Sequence, residues 1–359
     1  MRDAPWSPAE ARAWYEGLPW LLGCNFVPGF AVNAIELWRE PSFDVESIKR
    51  ELGFAAEIGF NTLRVFLHDL AYEEDPSGFI SRLDTFLALA GTCGLRVMFV
   101  FFDDCWHPEP RLGPQPDPLP GVHNSRWVQS PGDRVARDPA AWPRLERYVQ
   151  DVIGAFGQDP RVLMWDLYNE PGNTFLPSLS RGWVQMALEL PPLLLQHLLQ
   201  PSQSLPLLQA VFSWARGVGP AQPLTAGLWA HNAGLNHFQE ANSDVLTFHH
   251  YGRPASLAAR ITGLSRHERP LICTEFLARR FGSRFETHLP VLHEARVGAL
   301  CWGLVTGRTQ TRFSWLDRPG SAEPALWFHD ILRPEGTFFD EEEAVVLRRW
   351  AAHTRRFIP

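Results

Sequence analysis

Short apolar runs alternate with helix-like stretches along almost the whole chain, and the alternation repeats eight times. The runs fall at 21–26, 62–66, 96–102, 162–168, 224–228, 245–249, 271–274 and 297–302. Runs this short and this apolar are typical of strands buried on both faces. Between them, apolar residues recur at helical spacing over 44–58, 77–93, 140–156, 205–216, 235–240, 255–265 and 285–295. Gly59 and Gly94 stand where two of these helices must stop. Strands that alternate with helices are parallel strands joined by crossovers. A chain of 359 residues fits one closed ring of them. The expectation is an α/β protein, a (β/α)8 TIM barrel, one domain over 1–359 with long loops after strands three and four. An open doubly wound sheet is the alternative. It would want a glycine-rich phosphate turn after strand one, and Gly23-Cys24-Asn25-Phe26 is not one.

Within this frame, 1–20 reads as a leading helix. Ser7-Pro8-Ala9-Glu10 supplies a cap, a proline at the first helical position and a glutamate three after the serine. The segment 27–41 reads as a loop carrying Asn33, Glu36 and Trp38, and 108–138, rich in proline and glycine, as a wall of a binding site. The segment 174–203 reads as an insertion: a packed helical excursion, or else a lid or self-association patch. Residues 303–359 make a C-terminal loop and closing helix.

Two runs end on a carboxylate. The run from Val162 stops at Asn169-Glu170-Pro171, where the proline lacks the N–H that would continue a ladder. The run Leu271-Ile272-Cys273-Thr274 stops at Glu275-Phe276. In a barrel of this kind chemistry sits at the carboxyl ends of the strands. Two carboxylates placed there suit an acid/base and nucleophile pair. Taken alone, either glutamate is an ordinary loop residue or helix-cap neighbour.

Composition excludes some partners. A net charge of -7 gives no basic footprint for nucleic acid or an anionic membrane. No apolar run is long enough to span a bilayer. Fifteen Trp are many. Most fill the core, but an indole face also stacks on a sugar ring, and Trp106 and Trp127 beside the long loop offer such platforms. Five Cys, with no C-x-x-C, read as free buried thiols in a reducing compartment. Met1–Trp6 carries no apolar leader core. The expected location is therefore cytoplasmic, or secreted if a leader precedes this sequence. The oligomeric state is not legible.

The same residues carry a resemblance. The chain resembles clan A of the glycoside hydrolases and is most similar to family 5 cellulase- and xylanase-like proteins. Asn169-Glu170-Pro171 and Thr274-Glu275-Phe276 carry it, supported by Arg64, His249-His250-Tyr251 and Trp302, over roughly 21–302. The stretches 25–38, 302–310 and 327–333 resemble bacterial proteins labelled xylanase or cellulase. The resemblance implies retaining hydrolysis of β-glycosidic bonds in oligo- or polysaccharides through a covalent glycosyl-enzyme. Glu170 would be the acid/base and Glu275 the nucleophile. Arg64 would hold the Glu275 pKa down and Tyr251 would donate to it. Asn169 would bond the sugar 2-hydroxyl, Trp302 would floor the reacting subsite and His249 would line it. No cofactor or metal is implied.

One departure stands out. Many relatives carry a His pair after strand three, whereas this chain has Asp103-Asp104. These acids either bind sugar hydroxyls in pairs or cap the loop that follows. Glu36 and Trp38 are further candidates for gripping the transferred sugar. Three rival functions remain in view. A metal-dependent barrel hydrolase would use His68, Asp103, Asp104, His249 and His250, yet no H-E-x-x-H or His-x-His supports it. A non-catalytic carbohydrate-binding barrel would keep the Trp faces but usually lose one glutamate. A transglycosylase would share the covalent intermediate.

Overall fold

The computed structural model describes residues 4–173 and 183–354. Eight strands among them form one sheet: β1 (Leu22–Asn25), β2 (Thr62–Phe66), β3 (Arg96–Asp103), β4 (Val162–Asn169), β5 (Leu224–Thr225), β6 (Leu246–His249), β7 (Leu271–Phe276) and β8 (Gly298–Trp302). Their order is β5-β4-β3-β2-β1-β8-β7-β6, and every pairing is parallel. The ring closes through Leu228. Its N–H donates to the Thr247 carbonyl at 2.9 Å, and its carbonyl accepts from the His249 N–H at 3.0 Å. This is the (β/α)8 barrel that the alternation implies.

The local chemistry explains the boundaries. Ser7 and Glu10 form a reciprocal capping box at the start of the helix Pro8–Glu16. Asp44 caps the helix Val45–Ile58, and Gly59 ends it at φ +96, where a side chain would be strained. The leading helix closes the bottom of the barrel. Its Tyr15 packs with Leu21, Met98, Met164, Ile272 and Leu300, and Trp14 and Leu18 flank them.

Higher in the barrel the interior turns polar. Thr225 and Thr247 share a hydroxyl hydrogen bond at 2.9 Å, and Arg64 and Asp166 are fully buried. Apolar filling therefore stops halfway up, and the upper half is a hydrogen-bonded floor for whatever sits at the mouth.

Two expectations need correction here. The segment 27–41 is not all loop, because Asn33 caps a short helix, Ala34–Trp38. That turn drives Trp38 inward, where it packs on Phe79 and Phe86 and donates from Nε1 to the Phe66 carbonyl at 2.7 Å. Trp38 is a core residue with no exposed surface to offer a sugar. Glu36 is likewise engaged in the loop itself, accepting from the Val32 N–H at 2.8 Å and pairing with Arg308 at 2.7 Å. Of the insertion, 174–182 lies outside the described residues; Trp183–Leu199 is helical. No helix among the described residues is long and apolar enough to cross a membrane.

Candidate active site

Glu170 follows directly on β4 and Glu275 lies near the end of β7, so both stand at the carboxyl mouth of the barrel. β7 departs from regular register on both sides. It shifts against β6 between Phe248 and His249, and against β8 between Cys273 and Phe276. Such irregularities re-aim side chains next to sites, and this one turns Glu275 into the mouth. Glu170 adopts φ +43, a left-handed conformation that costs a non-glycine residue on the order of 1 kcal/mol or more. It also precedes Pro171, which restricts it further. The two glutamates and His249 bring one atom each within 4.8 Å of one another.

The two carboxyls are wired differently. Glu275 accepts from Arg64 Nη1 at 2.8 Å and from the Tyr251 hydroxyl at 2.7 Å. Glu170 accepts from the Cys105 thiol at 3.2 Å and from the Asn173 carboxamide. Its other oxygen lies 2.6 Å from His249 Nδ1, and the same nitrogen is 3.4 Å from Glu275. Burial pushes the pKa of both glutamates up. For Glu170 the Asn173 and Cys105 donors oppose that rise. For Glu275 the Glu170 charge adds to it, while His249, Arg64 and Tyr251 oppose it. Arg64 therefore does not depress Glu275 below the ordinary range: burial outweighs it. Glu275 alone of the pair is hydrogen-bonded to both a cation and a hydroxyl, which favours its charged form against that rise.

Arg64 is shared. It donates to Asp166 from Nε at 3.0 Å and from Nη2 at 2.7 Å, to Asn25 at 2.9 Å and to Asn169 at 2.6 Å. It supports the floor from below and has no surface in the cleft. Asn169 is pinned between Arg64 and Asp103, to which its Nδ2 donates at 2.8 Å. His249 is kept neutral by burial, its pKa pushed down to about 4. Its Nε2 has no hydrogen-bond partner among the described residues. Nδ1 is thus the ring nitrogen through which His249 meets both acids.

The paired acids after β3 divide. Asp103 lines the cleft, but its oxygens already accept from Asn169, from Trp127 Nε1 at 2.6 Å and from the Cys105 N–H at 2.9 Å. Its pKa is pushed up to about 6 by burial. Asp104 turns away from the cleft. It accepts from the Tyr168 hydroxyl at 2.7 Å, the Gly172 N–H at 2.6 Å and the Ser204 hydroxyl. As a sugar contact Asp104 is corrected: it ties the β3 and β4 loops together.

The cleft encloses about 370 Å³ and is lined by Trp106, Trp127, Tyr251 and Trp302 along with both glutamates, Asn169 and His249. Residues that sequence reasoning missed also line it: Cys105, His123, Asn124, Asn173, Trp229, Trp315 and His329. Asn173 had a signal, since it lies three residues past Glu170 in the same turn and donates its N–H to the Glu170 carbonyl at 3.0 Å. Trp315 had none, because the 303–340 segment folds back over the mouth from far along the chain, and His329 had only its place in the 327–333 stretch of the resemblance.

Of the five residues a metal site would need, only His249 belongs to a cluster tight enough to ligate, and its partners there are the two glutamates. His68 is occupied by the Gln129 carbonyl at 3.1 Å, and His250 by Ser256 at 2.9 Å.

No protein-family model matches the chain, and no curated protein sequence matches it. Solved structures do. The exo-β-1,4-mannosidase Op5Man5 from Opitutaceae bacterium strain TAV5 superposes with a TM-score of 0.59 at 16% identity, over 94% of this chain and 60% of that one. The chain thus spans less than two thirds of that protein's length. GH5_18 from Streptomyces cattleya, in complex with GlcNAc, gives 0.58 at 15% identity, over 94% and 82%. The endo-1,4-β-D-mannanase from Thermotoga petrophila RKU-1 gives 0.54 at 14% identity, over 93% and 99%. At these identities the likeness establishes the barrel fold.

Proposed function

We propose that this protein is a retaining β-glycosidase of the family 5 type. The observation that carries the reading is the pair of glutamates at the barrel mouth, with oxygens within 4.8 Å. So close an approach of one oxygen from each suits the roughly 5–5.5 Å carboxyl spacing of retaining enzymes better than the roughly 6.5–9.5 Å of inverting ones, which must fit a water between them. The barrel neighbours act in the same direction, since those reported above include a mannosidase and a mannanase by name.

In the first step a Glu275 oxygen attacks the anomeric carbon as the glycosidic bond breaks. Glu170 gives its proton to the departing oxygen. The product is a glycosyl ester on Glu275, whose negative charge is then gone. Loss of that charge lowers the Glu170 pKa, so Glu170 takes a proton from water as the water oxygen attacks the anomeric carbon. Glu275 departs as a carboxylate, and Arg64 and Tyr251 stabilise it. The indole of Trp302 supports the ring, and Asn169 faces the 2-hydroxyl.

The test is a screen of aryl β-glycosides, with mannosides first because of the neighbours' names, then glucosides, galactosides and xylosides. On the best substrate Glu170→Gln and Glu275→Gln each lower turnover by about 10²–10⁴-fold or more while leaving the circular dichroism spectrum intact. Near wild-type rates in either variant refute the role assignment. Activity that survives EDTA separates this reading from a metal-dependent hydrolase.

A further inference from the structure

Among the described residues, one side of the barrel mouth is walled off by bonded loops. The loop after β3 and the loop after β8 are bonded to each other along their length. The Asn124 N–H donates to the Thr309 carbonyl at 2.8 Å, and His123 Nδ1 meets the Phe313 carbonyl at 2.8 Å. The Gln310 carboxamide spans the seam, accepting from the Gly121 N–H at 3.0 Å and donating to the Leu119 carbonyl at 2.7 Å. Arg308 fastens the β1 loop to it, pairing with Glu36 at 2.7 Å and Asp117 at 3.0 Å. Backbone and buried side-chain bonds of this kind make a fixed wall rather than a rim that yields to a chain.

Where the wall faces the cleft it presents a continuous arc of rings. Trp106 and His123 lie 5.5 Å apart, His123 and His329 5.2 Å, His329 and Tyr251 5.4 Å, and Tyr251 and Trp315 5.0 Å. The arc includes Tyr251, whose hydroxyl holds Glu275. The wall therefore backs the nucleophile. Trp229 stands across the cleft, its Nε1 donating to the Pro171 carbonyl next to Glu170 at 3.1 Å. Leu194 on the helix Trp183–Leu199 lines the cleft as well.

Resting on the glycosidase reading, we propose that this cleft is a one-ended pocket that takes only the non-reducing terminal sugar of a β-glycoside. The direction follows from the chemistry. An acid/base must touch the oxygen of the leaving group, so the leaving group lies on the Glu170 side and exits past Trp229 and Leu194. The transferred sugar lies over Trp302, against Glu275 and the arc. A second sugar on that side would have to pass through the bonded seam between the β3 and β8 loops. A volume of about 370 Å³ is at the small end for ligand pockets and gives no groove for a polymer. The action is therefore exo, one sugar at a time.

The test compares two chromogenic substrates of the sugar that the screen selects: its p-nitrophenyl β-glycoside and the matching β-1,4-linked bioside. The monoside is expected to release nitrophenol at least 100-fold faster than the bioside does in its initial phase. From the bioside the first sugar product is the monosaccharide, or nothing is cleaved; either supports a closed end. Release of intact disaccharide at a comparable rate overturns the proposal while leaving the glycosidase reading standing. If no aryl β-glycoside of any sugar is hydrolysed, the glycosidase reading itself fails.

Discussion

Cys105 gives Glu170, the proposed acid/base, an unusual neighbour. A thiol is a weak donor, so it steadies the Glu170 carboxylate without pulling its pKa far down. Cys105→Ala removes one of the donors that oppose the burial-driven rise. The Glu170 pKa must then climb, and the residue stays protonated to higher pH. The expected outcome is a basic limb of the kcat/KM profile shifted to higher pH, with an unchanged acidic limb; Cys105→Ser restores it. An unmoved basic limb would mean that the thiol does not bear on the acid. Nothing in the sequence singled out Cys105, because a cysteine two residues past a strand end looks like any buried thiol. Glu170 and Glu275 were legible, since each interrupts an apolar run with a charge that has no place in a core. Asp103 and Asp104 were legible as a pair but not as two roles. Their division depends on which way each side chain leaves the end of β3, and strand alternation continues only as far as the strand does.

The helix Val45–Ile58 carries a second buried acid outside the site. Glu51 is 2% exposed, and both its oxygens accept from the Gly29 N–H, at 3.2 and 3.0 Å. Its pKa is pushed up to about 7 by burial. The folded protein thus holds a proton at Glu51 that the unfolded chain has already released. Stability contributed here is full below the unfolded value and falls as pH rises through about 7. Glu51→Gln keeps an acceptor for Gly29 and removes the titration. Urea unfolding should find it more stable than wild type at pH 8, by on the order of 1–3 kcal/mol, and no more stable at pH 4.5. Equal gains at both pH values would rule out the titration as the cause. Six of the eight strands were legible to within a residue at each end, because a two-sided buried strand leaves an uninterrupted apolar run; β5 stops three residues short of its run and β7 continues two past its run. The helix Ala34–Trp38 was not. Five residues are too few for a period to show, and only the Asn33 cap marks it, so Trp38 was read as a candidate sugar contact when it is core.

The barrel as one object is apolar below and polar above, and Arg64 is the hinge between the halves. One cation there faces two carboxylates, Asp166 at 2.7 Å and Glu275 at 2.8 Å, all of them buried. Removing the cation leaves both acids in a dry interior, which costs about 3–5 kcal/mol. Arg64→Met is therefore expected to lose about that much stability in urea titration, and Arg64→Met with Asp166→Asn to recover part of it. Full stability in the single variant would show the network to be slack. The closed ring was legible from the eightfold rhythm. Its wall was legible in part: the β3 loop was expected at the site and lines the cleft, as does Leu194 of the insertion after β4, but the bonding of the β3 loop to the β8 loop was not foreseen. Such seams are made by backbone groups, which no side-chain pattern announces.

The positive φ at Glu170 sets durability against usefulness. Glycine at this position would relax the twist and alanine would not, though both delete the carboxyl. Glu170→Gly should therefore melt above Glu170→Ala, by an amount matching about 1 kcal/mol of relieved backbone strain, as differential scanning calorimetry can read. The twist is strain that any side chain at this position must bear, and on the proposed reading the side chain that bears it is the proton donor.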